Sequence, residues 1–214
     1  MERAVTVLAI DRSTDAQSVA LAVNGSVVAL RAPNAVNWIA AVRDFLMENG
    51  VAPDALDSIV VGTGPGSFAG IRGALSFAQG LSLGIKARRA ELAGRPVVHG
   101  VPSAMAAVRE GEFAAVVGDA RRGLFWIAAY EGARVVQELR LATREELPSL
   151  VPDGATVVTP DGARIGAVLG EMFGGRFAGE RFPDAERMVR IAAEHPELAT
   201  PEPLPIYLSP AVRA

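Results

Sequence analysis

Two aspartates stand at the ends of apolar runs, in Leu8-Ala-Ile-Asp11 and Val116-Val-Gly-Asp119, and each is followed by a polar turn. A carboxylate so placed can organise a magnesium ion, through water, beside a bound phosphate. It can equally do no more than make the turn, accepting bonds from nearby amides. For either aspartate alone the turn is the simpler account. Two in matching contexts point to descent from a nucleotide-binding ancestor, with Ser13, Thr14 and Arg121 completing two vestigial phosphate loops.

A second candidate is the run Gly62-Thr-Gly-Pro-Gly-Ser67 ahead of a helical segment. Gly64, Gly66 and Ser67 could let the backbone approach an anion at the helix N-terminus. No Gly-Lys-Ser/Thr follows, and the third glycine falls at the wrong spacing for a dinucleotide fingerprint. A structural corner is the simpler reading, with Ser67 as the N-cap. His99 and His195 are the only histidines, and neither lies in a His-Glu-x-x-His arrangement, so a metalloprotease has no ligand set. No Gly-x-Ser-x-Gly elbow occurs, which removes the serine hydrolases. No catalytic constellation and no metal site emerge.

The elements that must carry these residues form a repeated pattern. Val5–Ile10 reads as a strand, and Ser18–Val23 and Ser26–Leu30 form a hairpin across Asn24-Gly25. Ala35–Glu48 reads as a helix with an unusually wide apolar arc, Val36, Ala40 and Met47 falling outside its core stripe. After the strand Ser58–Val61 comes a helix over Ala69–Gly84. It carries Gly70, Ala74 and Ala78 along one row and Gly73, Phe77 and Gly80 along another. Interior glycines cost about 0.5–1 kcal/mol each against alanine, so this helix needs a packing reason. The second half repeats the scheme. The helix Pro102–Glu110 precedes the strand Phe113–Val117 and the hairpin Leu124–Tyr130 with Arg134–Leu141. Next come the strand Thr156–Thr159 and helices over Ala163–Met172 and Asp184–His195. A strand ending in aspartate, a turn and a hairpin, met twice, predict two similar lobes facing each other. That is the α/β plan of the actin-like ATPases and sugar kinases, each lobe having a mixed sheet and flanking helices. The expected division is residues 1–100 and 101–214.

Composition fits a globular chain: half of the 214 residues are hydrophobic and a fifth are charged. No segment is long and apolar enough for a membrane span, and the N-terminus does not resemble a signal peptide. The absence of cysteine suits a reducing cytoplasm. A net charge of −3 argues against a nucleic-acid footprint on this chain by itself.

Several blocks together resemble one family, TsaB/YeaZ. They are Leu8-Ala-Ile-Asp-Arg-Ser-Thr14, Ser18-Val-Ala-Leu21, Gly64-Pro-Gly-Ser-Phe-Ala-Gly-Ile-Arg72, Ala78-Gln-Gly-Leu81, Asp119-Ala-Arg121 and Pro205-Ile-Tyr-Leu208. The resemblance spans essentially the whole chain. It implies a non-catalytic scaffold in the threonylcarbamoyladenosine (t6A) modification of tRNA, with no protease activity. It also implies a catalytic paralogue, TsaD, a small ATPase, TsaE, tRNA reached through the complex, and no required cofactor. ATP with magnesium would bind weakly at most. Pairing with TsaD is expected through the two N-terminal-lobe helices, with Val36, Ala40, Met47, Gly70, Arg72, Ala74 and Ala78 as interface candidates. A homodimer through the same face is the expected substitute when TsaD is absent. Three departures stand out: Ala69 where the family usually has threonine, Asn34 where many members keep histidine, and a basic connection Ile85–Arg95 with Lys86, Arg88, Arg89 and Arg95. The competing reading is an independent ATPase or small-molecule kinase on the same fold, working through Asp11 and Asp119.

Overall fold

A computed structural model describes residues 5–33, 37–88, 94 and 96–208. Val36, Asn34, Arg89 and Arg95 therefore lie outside the described residues, as does the expected start of the first helix at Ala35. The described chain divides into two compact units: 1–103 with 184–205, and 104–183 with the residues from 206 onward.

The first unit is built on a six-stranded sheet. β1 (Thr6–Asp11) pairs antiparallel with β2 (Ala16–Val23), which pairs with β3 (Ser26–Pro33). On its other side β1 runs parallel to β4 (Ser58–Gly62), and β4 to β5 (Val97–Val101), with the short β11 (Thr200–Pro201) at the edge. Val19 and Leu21 alternate with Ser18 and Ala20, so bulky side chains gather on one face. There Leu8, Ile10, Ile59 and Val61 join them to meet α1 (Trp38–Glu48) and α2 (Phe68–Arg88). The strands also pack against α6 (Ala185–Glu194), whose Met188 and Ile191 are fully buried. Asp184 caps α6 by accepting from the Glu186 N–H at 2.9 Å. The sequence placed this helix in the second lobe. It returns instead to the first sheet, where the Ser18 hydroxyl accepts from the Ala185 N–H at 3.0 Å.

The second unit repeats the order with one strand fewer. β6 (Phe113–Arg121), β7 (Leu124–Glu131) and β8 (Arg134–Ala142) form the antiparallel meander, and β9 (Thr156–Thr159) and β10 (Phe177–Glu180) extend it in parallel. Strand order β5-β4-β1-β2-β3 thus corresponds to β10-β9-β6-β7-β8. The duplication seen in the sequence is a duplication of topology. α5 (Gly162–Phe173) covers this sheet through Ile165 and Leu169, with α4 (Leu147–Leu150) beside it. α3 (Ser103–Ala106) is shorter than the helix expected over Pro102–Glu110, because a turn over Glu110-Gly111 follows it. α2, by contrast, runs past Gly84 to Arg88. This puts Lys86 and Arg88 in its last turn, where cations suit the helix dipole.

Candidate functional site

Asp11 closes β1 fully buried. Its Oδ1 accepts from the Ser13 N–H at 2.9 Å and the Ser13 hydroxyl at 2.7 Å, a turn made by the side chain. The Thr14 hydroxyl donates to the Ala16 carbonyl at 2.8 Å and so fixes the start of β2. The second carboxylate oxygen, Oδ2, has no hydrogen bond of good geometry among the described residues. Burial pushes the Asp11 carboxyl above the ordinary carboxylate range. Nearby Ser103 and Ser13, and weakly Arg31, pull the other way.

What faces Oδ2 is protein. A Cβ at Gly62 would stand 1.9 Å from it and 2.7 Å from the Ser103 hydroxyl. That hydroxyl also accepts from the Gly64 N–H at 2.9 Å. The glycine loop lies directly on the turn: the Ser67 N–H donates to the Ser13 carbonyl at 2.7 Å. A Cβ at Gly66 would stand 2.1 Å from the same carbonyl oxygen, and one at Gly70 would stand 2.0 Å from the Arg12 carbonyl oxygen. These glycines exist so that two backbones can touch. Ser67 is the N-cap of α2, its hydroxyl accepting from the Gly70 N–H at 3.2 Å. At this turn the carboxylate is enclosed and the Ser67 amide at the start of α2 is already bonded.

The second unit makes the same turn differently. Asp119 Oδ1 accepts from the Arg121 N–H at 2.8 Å, matching Asp11. Here the carboxylate is partly open and lies among arginines. Arg164 Nε is 3.0 Å and Arg121 Nη1 is 3.4 Å from Asp119 Oδ2. Arg164 also pairs with Asp161, whose Oδ2 accepts from the Asp119 N–H at 2.8 Å. Sequence reasoning missed Arg164 and Asp161. Their i,i+3 spacing at the start of α5 was the available signal. Among the described residues no group of three or more histidines and acids could hold a metal ion. Nor is any helix among them long and apolar enough to cross a membrane.

The interface candidates separate cleanly. Gly70, Ala74 and Ala78 are buried, and Ala74 and Ala78 belong to the core of the first unit, so this row cannot meet a partner. The inward side of α2 packs Ile71, Ala74, Leu75 and Ala78 into the core, and Gly70 on it lies against the Arg12 carbonyl. Met47 and Arg72 are exposed and Ala40 is half-buried. The outward face of α2 instead carries Ala69, Ser76, Gly80 and Gly84, with Gly73 half-buried in line and Leu83 exposed beside them. A Cβ at Gly80 or Gly84 would meet nothing within 4 Å among the described residues.

A family model described as TsaD, tRNA N6-adenosine threonylcarbamoyltransferase, matches residues 29–147, more than half of the chain. The TsaB protein of Escherichia coli, named for tRNA threonylcarbamoyladenosine biosynthesis, is 38% identical over 82 residues. That of Haemophilus influenzae is 33% identical over 84. A crystal structure of YeaZ from Pseudomonas aeruginosa superposes with a TM-score of 0.73 at 26% identity, covering 95% of this chain and 100% of that one. A second Pseudomonas aeruginosa structure, of an uncharacterised protein with similarity to peptidase YeaZ, gives 0.74, also at 26% identity, over 96% and 100%. The chain belongs to the TsaB/YeaZ family. The aligned segment spans 36% of the length of each of the two TsaB relatives. The fold is that of the YeaZ structures, whose match covers 95–96% of this chain and so extends over both duplicated sheets.

Proposed function

We propose that this chain is the non-catalytic scaffold subunit of a t6A modification complex. It pairs with a TsaD-type catalytic subunit, is joined by a TsaE-type ATPase, and reaches tRNA only through the assembly. The names of the TsaB relatives support the pathway. The single observation that carries the scaffold role is the outward face of α2. Gly80 and Gly84 each cost about 0.5–1 kcal/mol against alanine in a helix interior, yet among the described residues they make room for nothing. Small residues in a row let a second helix approach closely. Leu83, 70% exposed, supplies apolar surface on the same helix, and Met47 of α1 is 68% exposed. A partner helix is what such a face suits, and a second copy of this chain would take the same place when the catalytic subunit is missing.

The same reading makes the chain independent of nucleotide, since the Asp11 turn is filled by Gly62, Ser103 and the glycine loop. The kinase alternative needs a usable carboxylate at that turn and finds an enclosed one. Gly80→Arg is the test. It adds a long charged side chain to open space, so the monomer keeps its melting temperature, while co-purification with the TsaD paralogue and t6A formation in a reconstituted assay are lost. Normal pairing and modification by a folded Gly80→Arg protein would refute the assignment of this face.

A further inference from the structure

α1 begins without help from its own sequence. Asn37 makes no side-chain capping bond, and no acidic residue stands in the first turn. What fastens the start of α1 is Trp38. One face of its ring carries the Arg12 guanidinium, with Cζ 4.4 Å from the ring centroid. Its edge contacts Phe77 of α2, with ring centroids 5.1 Å apart. Arg12 also touches α2 at two points. Its carbonyl oxygen occupies the space a Cβ at Gly70 would need, and its Nη1 would stand 3.5 Å from a Cβ at Gly73. One residue of the Asp11 turn therefore contacts both helices of the exposed face. A cation near a helix N-terminus is unfavourable toward the dipole, so electrostatics toward α1 do not explain the placement. Stacking on the indole is a contact that favours it there.

We propose that Arg12 is a positioning residue for partner docking, setting the separation and tilt of α1 against α2. The turn inherited for phosphate chemistry has become the spacer of the docking face. This rests on the docking reading above and adds to it a residue that lies beneath the face. A planar guanidinium is required, since a lysine ammonium keeps the charge and loses the flat stack.

The experiment measures calorimetric affinity of the full chain for the TsaD paralogue from the same genome, alongside melting temperature and tryptophan emission. Arg12→Ala should weaken binding at least tenfold, shift the emission of Trp38 and leave the melting temperature within about 3 °C, because a stacked cation contributes only modestly to folding. Arg12→Lys should fall between it and wild type. Wild-type affinity in a folded Arg12→Ala overturns the inference, as does a loss of binding that merely follows a loss of folding while Arg12→Lys binds normally. Should Arg12→Ala fail to fold, Arg12→Lys decides alone: folded with weakened binding supports the role, folded with wild-type binding refutes it. Gly80→Arg separates the two layers. If it abolishes pairing while Arg12→Ala does not, only the role of Arg12 falls. If the wild-type chain does not pair, the docking reading falls and takes this inference with it.

Discussion

The Asp11 and Asp119 turns share one backbone trick and have met opposite fates. In both, a strand-end aspartate accepts from the amide two residues on, at 2.9 and 2.8 Å. Around Asp11 the chain has closed in, with main chain from Gly62, Gly66 and Gly70 against it or its turn. Around Asp119 the carboxylate stays partly open, and arginines neutralise it instead. Duplicated topology preserves the local turn because side chain and amide are covalently close. It does not preserve what surrounds the turn, which depends on contacts from distant parts of the chain.

The largest expected effect exploits helix glycines. Gly70→Ala in α2 puts a methyl 2.0 Å from the Arg12 carbonyl oxygen, and that backbone cannot swing aside. A loss of at least ~3 kcal/mol, or failure of the first unit to fold, is expected in chemical denaturation. In α5, a Cβ at Gly170 would meet only the Phe177 ring at 3.7 Å. Gly170→Ala should be neutral or gain up to ~1 kcal/mol. Equal effects at the two glycines would mean that the close approach of the Arg12 carbonyl is not what fixes glycine at position 70.

Next in size is Asp11→Asn. The folded-state carboxyl titrates above its ordinary value, chiefly through desolvation. Its contribution is therefore fully present below the unfolded pKa and is lost as pH rises through the folded one. Rising pH therefore costs the fold stability at this group. Asparagine keeps an oxygen for the Ser13 donors and replaces the unpartnered Oδ2 with a donor facing Ser103. Relieving such a buried group is worth about 1–3 kcal/mol. Melting at pH 7 should rise, the gain should shrink toward acid pH, and partner pairing should persist. A lower melting temperature at pH 7, or ATP turnover in wild type that this variant abolishes, would restore Asp11 as a working residue.

The contrast also shows what the sequence could reveal. Both strand-ending aspartates, the Asn24-Gly25 hairpin and the Ser67 cap are local patterns, and each sits where local chemistry put it. The inward face of α2 was not readable. Both rows read from the sequence are rich in small residues, Gly70, Ala74 and Ala78 on one side and Gly73 and Gly80 about Phe77 on the other, so periodicity gives little preference. Packing of Ala74 and Ala78 into a core drawn from distant parts of the chain decides it. The return of α6 to the first sheet was hidden for the same reason, its partner Ser18 lying at the other end of the chain. Arg164 escaped notice because an arginine in a first helical turn is unremarkable until Asp119 arrives beside it.

The smallest expected effect belongs to Arg164→Gln in the open turn. Arg164 is 38% exposed, and its pair with Asp119 at 3.0 Å is only partly shielded. Pairs of this kind contribute roughly 0–1 kcal/mol and are screened by salt. Two features keep the loss small: Arg121 remains 3.4 Å from Asp119, and the Asp119 N–H still donates to Asp161. Denaturation should show a deficit of about 0.5–1 kcal/mol at low salt that fades as salt is raised. Pairing with the TsaD paralogue and t6A yield should stay at wild-type level, because the proposed docking face is built from α2 of the first unit and Arg164 belongs to the second. A variant that folds and pairs but no longer supports modification would mean that Arg164 serves the assembled complex. The second turn would then be the one that kept a task, and the first the one that became structure.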